Sequence, residues 1–115
     1  MELKVIEETK ELTRLALVGA LDLAGVREVE AGFLRCVEAA GRPVIVDMSG
    51  VTFMSSIGIR MFIMAARSLS RRGARLLVLK PQPMVNETMG SVGLSRVLAI
   101  VNDEAEARAL ALAKP

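Results

Sequence analysis

The stretch Val46-Asp47-Met48-Ser49-Gly50-Val51-Thr52-Phe53-Met54-Ser55-Ser56-Ile57-Gly58-Ile59 decides how the chain is read. It begins in Val44-Ile45-Val46, a short β-branched run of the kind found in strands covered on both faces. Residues 47–54 read as a loop around Gly50. From Ser56 to about Arg72 the pattern turns helical, with Ile59, Phe62, Ile63, Ala66 and Leu69 on the core face and Gly73 as the stop. Two adjacent serines stand where loop becomes helix. Ser55 is placed to cap the helix, accepting from a free N–H of the first turn. Ser56 then occupies the first helical position, over the positive end of the helix dipole.

The same alternation extends in both directions. Residues 3–6 and 13–18 read as two strands joined by a polar hairpin turn, the second closed by Gly19. Val26, Val29, Phe33, Cys36, Val37 and Ala40 then mark one face of a first helix, stopped by Gly41. After the Ser56 helix, residues 75–79 form a further buried strand. Pro83 opens a third helix, which Gly90 and Gly93 break. Residues 97–101 give a last strand, and residues 104–113 a closing helix with acidic residues in its first turn. Repeated strand–helix–strand units imply parallel pairing with right-handed crossovers. The expectation is one α/β domain over residues 1–115: a mixed, mostly parallel sheet of about five strands with about four α-helices.

Composition narrows the function. At 115 residues and 52% hydrophobic, the chain suits a single packed domain. Its 15 basic and 13 acidic residues are too balanced to argue for nucleic acid or an anionic membrane. There is no histidine, which removes Ser-His-Asp and Cys-His catalysis and imidazole zinc sites. The lone Cys36 cannot form an internal disulfide and falls on a core face. No signal peptide or bilayer-length apolar run is legible, so a cytoplasmic protein without membrane insertion is expected. No phosphate loop, dinucleotide fingerprint or nucleophile elbow occurs.

Three features could carry function. A phosphate on Ser56 would be tolerated by its own helix, and would act on whatever docks there; a serine pair before a helix is also an ordinary cap. Ile57, Met61, Met64 and Ala65 lie off the assigned core face yet are apolar. They read as a docking surface or as packing under neighbouring helices. Asp22 and Asp47 are expected to end strands on one edge of the sheet. There they could hold a metal, act in acid–base chemistry or, with Lys80, form a receiver-like site; such aspartates also cap helices and turns. Arg67, Arg71, Arg72 and Arg75 gather at the end of the Ser56 helix, where cations favour the dipole and a solvated face suffices to explain them.

Three segments give the chain a resemblance to the STAS family, and within it to the bacterial anti-sigma-factor antagonists. Val18-Gly19-Ala20-Leu21-Asp22 looks like the family's Gly-Glu-Leu-Asp segment. Residues 44–59 look like a strand ending in Asp-Leu-Ser followed by Val-x-Phe-Met-Asp-Ser-Ser-Gly-Leu. Pro83 through Gly93-Leu94 to Val97 looks like the third helix and its Gly-Leu turn. The resemblance implies a non-enzymatic switch. An anti-sigma factor that is also a GHKL-type serine kinase binds the chain and phosphorylates the serine after the motif's aspartate, and a serine phosphatase resets it. Carried over, the phosphoacceptor is Ser56, with Ser55 the alternative. Asp22, Ser55, Ser56, Ile57, Gly58, Met61 and Met64 would form the partner surface. No cofactor is implied, since the ATP belongs to the kinase. One departure from the motif matters: Ser55 stands for its aspartate and Ile57 for its second serine. Some members act as non-phosphorylated scaffolds or transport-associated subunits; such a protein would be found only in complex or as a homodimer.

Overall fold

The computed structural model describes residues 1–113; within them the side chain of Ala40, expected on the core face of its helix, lies outside the description, as do the last two residues of the expected 1–115 domain. The elements run β1 (Glu2–Glu8), β2 (Thr13–Leu21), α1 (Leu23–Ala40), β3 (Val44–Met54), α2 (Ser56–Arg71), β4 (Leu76–Leu79), α3 (Pro83–Ser91), a 3-10 turn (Leu94–Arg96), β5 (Ala99–Val101) and α4 (Glu104–Leu112). They build one five-stranded sheet in the order β1-β2-β3-β4-β5. β1 is antiparallel to β2, and the other three pairings are parallel. The α/β expectation holds in architecture.

The sheet separates two cores. On one face Leu15, Leu17, Val46, Met48, Leu76 and Val78 meet α1 and α2. On the other, Ile45, Leu77, Leu79 and Val101 meet Ala107 and Ala111 of α4. That two-sided cover explains why residues 44–46 and 76–79 are apolar without alternation. α4 is also tied down by charge: Arg108 pairs with Glu7 and Glu104, and Arg14 pairs with Glu104 and with Asp47. The hydrogen bond from Arg108 holds the Glu7 carboxyl below the usual carboxylate range, against burial, which pushes it up.

Residues 47–54, expected as a loop, continue β3 to Met54. Past Asp47 the strand loses β4 and pairs with β2 alone. Its register slips twice, between Ala16 and Val18 and between Gly19 and Ala20. Each slip inserts an extra residue in β3, so the buried positions fall at Met48, Val51 and Met54 rather than at every second residue. The period-2 signature is lost although the strand is present. β2 likewise runs through Gly19, whose φ of +119° is open to glycine, and ends at Leu21. The last strand is shorter than expected, because Val97 and Leu98 donate their N–H groups to the Leu94 carbonyl and close the 3-10 turn instead of joining β5.

The core stripe of α2 is also turned from the expected one. Gly58, Ile59, Met61, Phe62, Ala65, Ala66 and Leu69 are buried, while Ile63 is only half-buried. Met61 and Ala65 therefore do not form a docking face; Met61 is 0% exposed. α2 packs on α1 as well as on the sheet, which widens its buried arc toward α1. Met61→Ala is accordingly expected to destabilise the fold by about 2–5 kcal/mol. Urea unfolding measures it, and a cost below about 0.5 kcal/mol would put Met61 back at the surface.

Candidate functional site

The site forms where two parallel strands end together. Leu21 of β2 pairs with Met54 of β3, and one residue beyond each strand a helix is capped. Asp22 caps α1, its carboxylate accepting from the Gly25 N–H at 2.8 Å. Ser55 caps α2, its Oγ accepting from the Gly58 N–H at 3.3 Å. The N-termini of α1 and α2 thus stand side by side, with their free amides and positive dipole ends facing the same way.

Ser55 fastens the two caps together. Its N–H donates to the Leu21 carbonyl at 3.0 Å, and its Oγ donates to the same oxygen at 2.6 Å. Both hydrogen-bonding roles of the hydroxyl are in use, and the side chain is half-buried. Ser56 is the opposite case: it is exposed, and its hydroxyl makes no hydrogen bond among the described residues. Ser55→Ala should cost about 1–2 kcal/mol through loss of the cap. Ser56→Ala should stay within about 0.5 kcal/mol. Parallel denaturation curves test the pair, and equal effects would contradict the assigned roles.

Two glycines allow the elements to meet this closely. A Cβ at Gly58 would lie 3.1 Å from Leu21 Cβ and 3.3 Å from the Leu21 carbonyl oxygen. Gly58 is buried and shapes the surface without presenting one. At Gly25 the constraint is harder, since a Cβ would lie 2.0 Å from the Ala20 carbonyl oxygen. Gly25 escaped the sequence reading; its signal was the spacing Asp22-x-x-Gly25, a cap followed by a residue whose N–H it accepts.

Of the other expected site residues, Ile57 and Met64 remain at the surface, 38% and 44% exposed. With Leu23, also exposed, they line a hollow of about 350 Å³ between α1 and α2, rimmed by Arg27, Glu30 and Arg60. Leu23 and these three charged residues belong to no motif legible in the sequence. Asp47 is not part of the site. It lies within β3, opposite Ala16 of β2, six residues before Asp22; at strand rise this is about 20 Å away. Its carboxylate accepts from the Ser49 N–H at 2.9 Å and pairs with Arg14. The expected placement of Asp22 and Asp47 on one edge is therefore wrong, because β3 does not end at Asp47. Lys80 is exposed in the β4–α3 connection at a φ of +52°. Among the described residues no group of three or more His, Cys, Asp or Glu could hold a metal ion, and no helix is long and apolar enough to cross a membrane. Cys36 is half-buried, at the margin of the core.

Comparison with known proteins fits this geometry. A Bordetella bronchiseptica protein named "Putative anti-sigma factor antagonist BtrV" is 27% identical over 100 residues, 86% of each chain. The anti-sigma factor antagonist SpoIIAA in its unphosphorylated form has a similar structure, with a TM-score of 0.78 at 24% identity over 95% of both chains. The phosphorylated form of SpoIIAA, a Bacillus cell fate determinant, gives 0.70 at 23% identity over 93% of this chain and 96% of that one. At such identities the structural likeness is one of fold. The sequence profile of the STAS domain matches residues 3–107, nearly the whole length described, and the chain belongs to the STAS domain family.

Proposed function

We propose that this chain is an anti-sigma factor antagonist, a non-enzymatic cytoplasmic switch that works by docking an anti-sigma factor serine kinase of GHKL type. The observation that carries the reading is the division of labour between the two serines. Ser55 is held by Leu21 and Gly58, and Ser56 is free and exposed at the N-terminus of α2. In the unmodified state the kinase binds over Asp22, Ser56, Ile57 and Met64, and the sigma factor is released. The kinase then transfers phosphate from its own ATP: Ser56 Oγ bonds to the γ-phosphorus, the bond to ADP breaks, and the hydroxyl proton passes to a base on the kinase. The phosphate sits over the free amides of the helix, where an anion is favoured, so the fold is kept while the docking face is changed. A serine phosphatase restores the starting state. The hydroxyl of Ser55 in place of the motif's carboxylate keeps the cap and leaves kinase recognition to Asp22 and the apolar rim.

A second reading, a constitutive scaffold or assembly subunit, is favoured by that same missing carboxylate and by the exposed Leu23, Ile57 and Met64. Incubation of the cognate kinase and ATP with wild type, Ser56→Ala and Ser55→Ala separates the two. The switch requires phosphate on wild type and on Ser55→Ala and none on Ser56→Ala. Stable binding of all three without phosphate supports the scaffold.

A further inference from the structure

The hollow beside Ser56 does not end there. A second one, about 240 Å³ and lined by Leu34, Glu38, Met64, Arg67, Ser68 and Arg71, continues it along the α1/α2 seam, with Met64 shared between them. The resulting trough follows α2 from Ile57 to Arg71, about 21 Å or four turns. Its α2 wall is one stripe: Arg60, Met64, Arg67 and Arg71 fall at helical spacings of four, three and four, with Ile57 at its start.

The charges along the trough are unbalanced and unused. Arg27, Arg60, Arg67 and Arg71 are exposed and make no ion pair or hydrogen bond among the described residues. Only Glu30 and Glu38 oppose them on the lining. On the far side of the molecule, by contrast, Arg14 and Arg108 are both committed to carboxylates. Arg67 and Arg71, four apart on one face, repel each other and weaken their own helix slightly. Arg71, in the last turn of α2, favours the helix dipole; Arg27, Arg60 and Arg67 give the fold no such contact, whereas an acidic partner would be held by all four.

We infer that the trough docks an acidic amphipathic helix of the partner, its apolar stripe on Leu23, Ile57 and Met64 and its carboxylates on the four arginines. A four-turn groove that is apolar from Ile57 to Met64 and bordered by arginines along its length matches helix-in-groove recognition. An anionic membrane fits less well, because the apolar groups line hollows rather than protrude and Glu30 and Glu38 would face the lipid charge. The inference extends the docking surface of the proposed switch and rests on that reading only for the partner's identity.

The probe is a pair of synthetic helical peptides, each about 16 residues or four turns long. Both carry the same leucine stripe; one has glutamate on its polar face and the other lysine. Binding to the wild-type chain is followed by fluorescence anisotropy and by amide shift mapping. The acidic peptide should saturate, with shifts on α1 and α2, and the lysine peptide should not bind. Affinity should fall with added salt and drop about tenfold or more in R67E/R71E, less in R67Q/R71Q, with unchanged circular dichroism. Absence of saturable binding, shifts elsewhere, equal binding of the lysine peptide, or a dimer in sedimentation that seats a second copy in the trough would overturn the inference. Because the peptides need no kinase, acidic-peptide binding without Ser56 phosphorylation rejects the switch alone, and the reverse result rejects the trough alone.

Discussion

Replacing Phe62 with alanine should lower the unfolding free energy by about 3–5 kcal/mol. Phe62 is 0% exposed and packs against Phe33 at a ring-centroid distance of 5.3 Å and an interplanar angle of 49°. The pair joins α1 to α2 above the sheet, and both residues lie in the larger core. Truncation removes the transfer energy of the ring, opens a cavity and breaks the aromatic contact together. Against a total stability of about 5–15 kcal/mol, the loss leaves a marginal domain. The control is on the same helix: Met64→Ala, at a 44% exposed position, should change stability by less than about 0.5 kcal/mol. Urea or thermal unfolding of the two variants reads the difference. Similar costs at both positions would mean that α2 is not oriented as described.

Ser56→Asp should separate stability from binding. An acidic side chain at the first position of a helix interacts favourably with the dipole, by about 0.3–1 kcal/mol, so the melting temperature should hold or rise slightly. In the proposed complex with the kinase the same carboxylate would be buried without a partner, at a cost of about 3 kcal/mol or more. That is roughly a hundredfold weaker binding to the kinase. Thermal melts and calorimetric titration report the two effects independently. Binding lost together with the fold would remove the switch interpretation, and binding unchanged would place the interface elsewhere.

The sequence carried the chemistry of the site better than its geometry. Ser55 as a helix cap, the start of α2 at Ser56, and Val26, Val29, Phe33 and Val37 as the buried face of α1 were legible, because caps and helical spacing are local. The second half of β3 was not. Its two register slips replace alternation with a spacing of three, and Ser49 and Gly50 resemble a turn. That error carried Asp47 to the wrong end of the sheet and made a pair with Asp22 that does not exist. Met61 was misplaced for a different reason. Hydrophobic periodicity locates an apolar stripe, but an extra apolar residue on each flank leaves its centre undetermined, and packing of α2 against α1 decided it. The spacing of Gly25 from the cap Asp22 is local, but the need for glycine there comes from the carbonyl of Ala20, a contact between the end of β2 and the first turn of α1 that only the folded backbone reveals.

The central claim is that Ser56, and not Ser55, receives the phosphate. Intact-mass and phosphosite analysis of the protein taken from its native host across growth conditions tests it most directly. The account predicts a fraction carrying one phosphate, on Ser56, that varies with growth state. Phosphate on Ser55, or none on either serine under any condition, would contradict it.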